Sequence, residues 1–281
     1  MFTVRLTYYA MKYLFLGILF FACAAFGQTP GGAESPPPAQ AVPNDTSSQA
    51  KALINRAIQA LGGEAYLNVK DTTQEGRAYS FYHGQSNSTG ALYWRYTKFP
   101  DKERIELTKK RDIVYVYNGD QGYEITYKGT AAQDPTVMAD YLRRREYSLD
   151  WVLRRWINEP GVALFYDGPA IAEQKQAEQV TVMNARNEAV TLFIDPATHL
   201  PIKKSFSWRD PKDKQRNVEE EVYDNYRPVQ GIMTPYSVTR FYNGDMASQR
   251  FLNSIRYNQD VSDSLFAASV SYDPNRPPAK K

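Results

Sequence analysis

Apolar and polar side chains alternate along most of the chain between Asp71 and Tyr257. An alternation with a period of two is typical of half-buried β-strands. The clearest stretch runs from Glu219 to Asp245, where two alternating runs flank a Pro- and Gly-containing reversal and end at the hairpin signal Asn243-Gly244-Asp245. We expect strands at 71–82, 91–98, 104–108, 112–117, 122–128, 163–167, 179–183, 189–194, 202–208, 218–226, 236–242 and 247–257.

The connections between most of these runs are short and polar, as at Phe99-Pro100-Asp101 and Asn118-Gly119-Asp120. Parallel pairing needs crossovers of a dozen residues or more, so short links favour antiparallel neighbours. The pattern therefore predicts a mainly β protein of the α+β type with about eleven strands, approaching a dozen. So many strands cannot form a flat sheet, and we expect a strongly curved sheet with a concave face that must be filled or covered.

A first helix is predicted immediately before the strands. Ile54, Ile58 and Leu61 recur at helical spacing, and Ala57 completes the stripe. We expect Ser47 or Ser48 to cap the N-terminus of this helix. Gly62-Gly63 supplies the left-handed residues that commonly end a helix.

A second helix is predicted in the middle of the chain, between the caps Asp134-Pro135 and Asn158-Glu159-Pro160-Gly161. One broad face of this helix is apolar and consists of Met138, Leu142, Leu149, Val152, Leu153 and Trp156. Most of the arginines lie off this face: Arg143, Arg144, Arg145, Arg154 and Arg155. The pattern fits an apolar lid with a basic outer rim, and it also fits an ordinary core helix whose arginines form its solvated face.

The ends of the chain have a different composition. Residues 1–27 resemble a secretory signal peptide, with Met11-Lys12 before an apolar run and a cleavage site after Gly27, although the true start is either Met1 or Met11. We therefore expect a periplasmic or secreted protein without a stable transmembrane segment. Lipidation at Cys23 is less expected, because Phe21 is large where a lipoprotein signal needs a small residue.

The remaining boundaries follow from Pro, Gly and Ser content. Residues 28–46 are rich in these residues and are expected to form a linker. Residues 47–268 then form one domain, and residues 269–281, with several prolines and a basic end, are expected to be a disordered tail.

Little in the chain points to catalysis. With 34 basic and 31 acidic residues the net charge is +3, which is not typical of a nucleic-acid-binding protein. The histidines, His83 and His199, are far apart, whereas a zinc or acid/base site uses paired ligands at short spacing. The carboxylates of the run Glu219-Glu220-Glu221 alternate between the faces of a strand. We predict no catalytic residue, no metal site, no cofactor and no enzymatic activity.

Several short stretches together resemble a known family. They are Ala60-Leu61-Gly62-Gly63, Phe99-Pro100-Asp101-Lys102-Glu103-Arg104, Asn118-Gly119-Asp120-Gln121-Gly122-Tyr123, Ile194-Asp195-Pro196-Ala197-Thr198-His199-Leu200-Pro201, Tyr223-Asp224-Asn225-Tyr226 with Gly231-Ile232-Met233-Thr234-Pro235, and 258–266. The combination resembles secreted bacterial proteins of the outer-membrane lipoprotein-sorting type, which are related to the carriers LolA and LolB. The resemblance implies an unclosed antiparallel barrel with helices over a hydrophobic cavity for acyl chains. For the arginine that holds the lid closed in those carriers, Arg77 and Arg95 are alternative counterparts.

Two functions follow as hypotheses. The first is a non-enzymatic envelope protein that binds lipid or lipoprotein acyl chains, with outer-membrane lipoprotein sorting as its possible role. Its ligand would contact the apolar lid face given above and four aromatic residues of the sheet: Trp94, Tyr96, Phe206 and Trp208. The second is a scaffolding domain that fills its own concavity and engages another envelope protein through its sheet edges.

Overall fold

The computed structural model describes residues 43–272 and contains one antiparallel sheet of fourteen strands. The strands are β1 (Asp71–Tyr82), β2 (Gln85–Ser86), β3 (Ala91–Lys98), β4 (Lys102–Leu107), β5 (Ile113–Asn118), β6 (Gln121–Thr126), β7 (Gly129–Ala132), β8 (Ala163–Ala172), β9 (Lys175–Met183), β10 (Ala189–Ile194), β11 (Pro201–Arg209), β12 (Arg216–Val229), β13 (Ile232–Tyr242) and β14 (Asp245–Tyr257). The helices are α1 (Pro43–Leu61), α2 (Glu64–Leu67), α3 (Pro135–Glu146) and α4 (Leu149–Arg154), with 3₁₀ turns at Trp156–Asn158 and Asp263–Phe266.

The strand order is β7-β6-β5-β4-β3-β1-β14-β13-β12-β11-β10-β9-β8, and the short β2 pairs only with β1. Two sequential meanders, β3 to β7 and β8 to β14, therefore meet at the β1–β14 pair in the centre. Strands β7 and β8 are the two edges of the described sheet, so it does not close. The prediction of a curved, unclosed antiparallel barrel is confirmed.

The strand count exceeds the predicted total of about eleven because β2 and β7 were not expected. Strand β2 has only two residues, and β7 has the sequence Gly-Thr-Ala-Ala, which shows no alternation of apolar and polar side chains. Neither strand carries the pattern on which the sequence prediction depends.

Helix α1 packs mainly against β8 and also contacts β9 and β13. Its stripe of Leu53, Ile54, Ala57, Ile58 and Leu61 is buried in the main hydrophobic core. The helix begins at Pro43, four residues before the expected cap, and proline is well tolerated in the first helical turn. The last residues of the predicted linker are thus helical, whereas residues 28–42 and the predicted signal peptide lie outside the described residues.

The predicted mid-chain helix is two helices with a break at Tyr147-Ser148. Asp134 caps α3 as expected, since its carboxylate accepts hydrogen bonds from the amides of Thr136 and Val137. Ser148 caps α4 by accepting from the amide of Trp151. The ring of Tyr147 is buried at the break and stacks on Phe206 with centroids 4.5 Å apart. Apolar spacing alone did not reveal this second N-cap.

The C-terminal segment covers the convex side of the first meander. Val261 and Phe266 pack with Val114 and Val116 in a small second core. Beyond it, Ser271 and Tyr272 donate backbone hydrogen bonds to the carbonyl of Thr130 in β7. Residues 269–272 of the predicted disordered tail are therefore held on the sheet, and residues 273–281 lie outside the described part.

Within residues 43–272, no helix has both the length and the apolar character needed to span a bilayer.

Candidate functional site: a covered cavity on the concave face

A cavity of about 620 Å³ lies on the concave face of the sheet. Strands β1, β3 to β5 and β12 to β14 form its wall, and α3, α4 and the β3–β4 turn border its opening. Its lining is mainly aromatic and aliphatic. The aromatic residues are Tyr66, Tyr93, Phe99, Tyr115, Tyr117, Tyr141, Trp151, Tyr223, Tyr226 and Tyr257. The larger aliphatic residues are Leu61, Val69, Ile105, Leu107, Leu149, Ile232, Met233, Val238, Leu252 and Ile255.

The cavity exists because α1 fills only part of the concave face. The main core joins α1 to the second meander, where Val180, Val182, Val190, Leu192 and Ile194 are fully buried. Within residues 43–272, no helix packs along the first meander as α1 packs along the second. Its inward side chains, such as Tyr93 and Ile105, line open space instead.

Charged groups are embedded in this aromatic lining. Arg95 on β3 binds Glu103 on β4 with Nε 2.6 Å from Oε1. Across the cavity, Glu221 contacts Lys204 at 3.4 Å and accepts a hydrogen bond from the hydroxyl of Tyr223. Burial alone would raise the pKa of Glu221, but the charges of Lys204 and Arg250 hold it at about 2. Glu221 is therefore a carboxylate at any physiological pH.

The covering helices are tied to the rim by arginines that donate to backbone carbonyls. At the end of α3, Arg145 donates to the carbonyl of Gly119 at 2.6 Å and more weakly to that of Asp101. In α4, Arg154 donates to the carbonyls of Leu67 and Val69. Its guanidinium also stacks on Phe99, 3.7 Å from the ring centroid.

A further bond links α4 to α2. The hydroxyl of Tyr66 donates to the carboxylate of Asp150 at 2.9 Å. Burial, and then the nearby Asp150 charge, raises the pKa of Tyr66 well above its usual value. Tyr66 therefore stays protonated and remains a donor. The cover is held by these polar contacts as well as by apolar burial.

Of the six predicted residues on the apolar lid face, only Leu149 lines the cavity. Val152, Leu153 and Trp156 are at most 1% exposed and belong to the main core. Met138 lies against Gly122, and Leu142 is half-buried on α3 away from the cavity. The lid and core hypotheses therefore do not divide between the two helices. Helix α4 buries Val152 and Leu153 in the main core while Leu149 lines the cavity, and α3 reaches the cavity through Tyr141 and two arginines.

The four predicted sheet residues do not line the cavity either. On β3 the inward residues are Tyr93, Arg95 and Thr97, so Trp94 and Tyr96 face the other side of the sheet. There Arg111 stacks on Trp94 at 4.1 Å, and Tyr96 packs on the second core.

On β11, Phe206 and Trp208 are both covered by the helical region. Tyr147 stacks on Phe206, and the Arg143 guanidinium lies 3.4 Å from the centroid of Trp208. Arg143 also binds Glu219 and Asp140, so it is a packed and paired side chain rather than a solvated one. Among the five helix arginines, Arg155 is exposed, although its guanidinium stacks on Trp151, 4.3 Å from the ring centroid.

Neither counterpart of the family's lid arginine contacts α3 or α4 by a hydrogen bond within residues 43–272. Arg77 donates to the carbonyl of Gly90 outside the cavity, and Arg95 pairs with Glu103. Sequence reasoning missed the cavity tyrosines. It placed Arg145 and Arg154 on a basic rim but did not predict the carbonyls to which they donate. The alternation of side chains between the two faces of a strand was the available signal. This alternation could not identify the concave face, because both faces of β3 carry large side chains.

The histidines are remote from the cavity. His83 lies at an exposed hairpin 3.5 Å from Asp245, and His199 lies in the turn before β11. Within the described part of the chain, no three His, Cys, Asp or Glu side chains are grouped so that they could hold a metal ion.

The positions of Leu149 and Leu153 give a matched test of the cavity. Leu153→Ala should lower the free energy of unfolding by about 2 to 5 kcal/mol, because it removes a fully buried side chain. Leu149→Ala should cost only on the order of 1 kcal/mol, because its side chain already borders open space, and should weaken acyl binding more. Urea unfolding and fatty-acid titration of both variants measure this. Equal stability losses, with no effect of Leu149→Ala on binding, would contradict the assignment.

The hydrogen bonds of Arg145 at the cavity rim predict that their removal makes the helical cover open more readily. Arg145→Met keeps the apolar stem but removes the donors to the Gly119 and Asp101 carbonyls. Since a hydrogen bond from a charged group contributes about 1.5 kcal/mol or more, hydrogen exchange in α3 and ligand dissociation should accelerate about tenfold. Arg256→Met, at an exposed position on β14 outside the cavity lining, is the control. The contacts have no gating role if the two variants exchange and dissociate at the same rates.

No protein-family model matches this chain, and no curated protein matches it. Solved structures do. A DUF1329 family protein from Desulfovibrio piger superposes with a TM-score of 0.56 at 12% identity, covering 78% of this chain and 97% of that one. A putative outer membrane lipoprotein-sorting protein domain from Vibrio parahaemolyticus superposes with a TM-score of 0.51 at 8% identity, covering 77% and 97%.

A LolA superfamily protein from Nitrosomonas europaea covers 78% of this chain and 97% of its own, with a TM-score of 0.48 at 10% identity. The first two likenesses extend over most of the described domain and nearly all of each neighbour. The resemblance predicted from the sequence is thus confirmed for the fold. This chain has a curved, open antiparallel barrel and shares its fold with these two solved structures.

Proposed function

We propose that this protein binds acyl chains of a lipid or lipoprotein non-covalently in the covered cavity. The observation that carries the proposal is a concave space of about 620 Å³ lined by tyrosines and aliphatic side chains beneath two helices. Binding sites for small organic ligands typically measure about 300 to 1,000 Å³ and have a mainly apolar lining. The cavity therefore has the size and chemistry of a ligand site.

The driving force would be transfer of the chain out of water. Each buried methylene contributes about 0.8 kcal/mol, so about ten methylenes contribute about 8 kcal/mol before the cost of association is subtracted. No bond in the ligand needs to be broken. The protein is accordingly proposed to be a binding protein rather than an enzyme.

Entry and release would require the cover to move. The contacts of Arg145 and Arg154 with rim carbonyls are few, so they can break without unfolding the core around Val152 and Leu153. A partner that competes for these contacts would favour release. A role in outer-membrane lipoprotein sorting is the finer form of this proposal, and the similar domain from Vibrio parahaemolyticus is described as a putative sorting protein.

The proposed location is the periplasm or the cell exterior. It depends on residues 1–27 acting as a signal peptide cleaved near Gly27, and those residues lie outside the described part. An exported protein that ends the leader at Gly27 would meet lipids and lipoproteins of the envelope, which are the proposed ligands.

Mass spectrometry of organic extracts of the purified protein tests the proposal. We expect a co-purifying lipid, or saturable uptake of a fluorescent fatty acid after delipidation. Ile105→Asp should abolish uptake because it places a charge against the chain in the cavity. Ile171→Asp is the matched control, since Ile171 is 71% exposed and outside the cavity.

The scaffolding alternative makes the opposite prediction. An extract without lipid, together with a delipidated parent protein that takes up no fatty acid, would reject the lipid-binding proposal. The domain would then be a structural one that engages an envelope protein.

A further inference from the structure

Two arginines of the cavity wall have no hydrogen-bond partner among the described residues and no ion partner at contact distance, although the charge of Glu219 reaches Arg144 and that of Glu221 reaches Arg250. Arg144 of α3 and Arg250 of β14 are both half-buried and line the cavity. Within residues 43–272 neither makes a hydrogen bond, an ion pair at contact distance or a stack on an aromatic ring. By contrast, Arg95, Arg143, Arg145 and Arg154 all have such partners. A guanidinium group presents five donors in a planar fork, so both groups retain their full donor capacity.

Arg240 links the two arginines, because the sheet register places Arg250 beside it and its charge reaches Arg144. Arg240 on β13 lies opposite Ser248 on β14, which makes Arg250 its diagonal neighbour on the same face. Diagonal neighbours in an antiparallel pair are about 7 to 8 Å apart. Arg144 faces them from the helical cover. Burial and then the Arg240 charge lower the pKa of Arg144.

The carboxylates around this region are already used by other cations. Glu219 binds Arg143 and Arg240, and Asp140 binds Arg143. Glu221 contacts Lys204 and accepts a hydrogen bond from the hydroxyl of Tyr223, and the Arg250 charge also reaches it. Among these side chains, five are basic and three are acidic: Arg143, Arg144, Lys204, Arg240 and Arg250 against Asp140, Glu219 and Glu221. This group therefore has an excess of two positive charges.

We propose that the ligand is an anionic amphiphile whose carboxylate or phosphate group binds between Arg144 and Arg250 while its acyl chain occupies the cavity. This inference rests on the proposed function and adds a head-group site to it. Guanidinium groups bind carboxylate and phosphate oxygens through paired, charge-assisted hydrogen bonds. A buried or half-buried charge without a partner is costly, so an arriving anion would relieve the surplus.

The arrangement also implies selectivity. The chain of a neutral ester could enter the same aliphatic region, lined by Ile105, Val238 and Leu252. The head group of the ester is neutral, so both guanidinium groups would remain without an anion. Specificity against an analogue that leaves polar groups of a site unpaired is usually strong. An acid should therefore bind more tightly than its ester with the identical chain.

The test compares cis-parinaric acid with its methyl ester on the delipidated full-length protein. We expect the acid to bind at least tenfold more tightly and its affinity to fall with added salt, whereas the ester should be insensitive to salt. Arg144→Gln and Arg250→Gln should each weaken the acid about tenfold and leave the ester unchanged. Arg144→Lys and Arg250→Lys, which keep the charge, should retain part of the preference.

The controls are Arg216→Gln and Arg256→Gln, which alter exposed arginines on β12 and on β14 outside the cavity lining. They should change neither affinity. Urea unfolding of every variant confirms that the comparison is made on folded protein. Inorganic phosphate alone should compete with the acid only at far higher concentration.

The outcomes separate the two proposals. Equal affinity of acid and ester in the parent protein, or equal losses in the control variants, would overturn the head-group site and leave acyl binding intact. Phosphate competing as well as the acid would also overturn it, because the site would then hold a free anion. Failure of both acid and ester to bind would reject the proposed function, and the head-group site with it.

Discussion

The architecture depends on one geometric constraint, which is that a curved sheet of this width has more inner surface than one helix can cover. Helix α1 covers the second meander, where Val180, Val182 and Leu192 are completely buried. The first meander keeps inward side chains such as Tyr93 and Ile105 without a packed partner layer. Because an exposed apolar concavity would be unfavourable in water, α3 and α4 lie across it. The cavity is thus the space left between a sheet that curves and helices that only bridge its rim.

The way the cover is attached fits a site that opens. Its inner residues, such as Val152 and Leu153, anchor α4 in the core, while the rim contacts are hydrogen bonds from Arg145 and Arg154 to backbone carbonyls. Such bonds exchange for bonds to water at modest net cost, whereas extracting a core leucine costs several kcal/mol. Motion of the cover would therefore begin at the rim and leave the core intact. Arg144 and Arg250, the arginines of the proposed head-group site, line the cavity beneath that cover.

More of the fold than of the cavity lining could be predicted from the sequence. Alternation and short turns were sufficient for the antiparallel meanders and the strong curvature, because each depends on local residue chemistry. The short β7 and the break at Ser148 carry no such periodic signal. Side-chain alternation along β3 did not identify the cavity-lining residues, because Tyr93 lines the cavity and the neighbouring Trp94 does not. Both are large aromatic residues on the same strand, and only the direction of sheet curvature decides which of them faces inward. That direction depends on the whole sheet and on where α1 packs.

A crystal structure with a terminally brominated fatty acid tests whether this cavity holds an acyl chain. The anomalous signal of bromine locates the end of the chain without interpretation of weak density. We predict a single bromine site within the cavity, in contact with aliphatic residues such as Ile105 and Leu252, beneath the covering helices. A bromine found only on the protein surface, with the tyrosines collapsed into the cavity, would contradict the account.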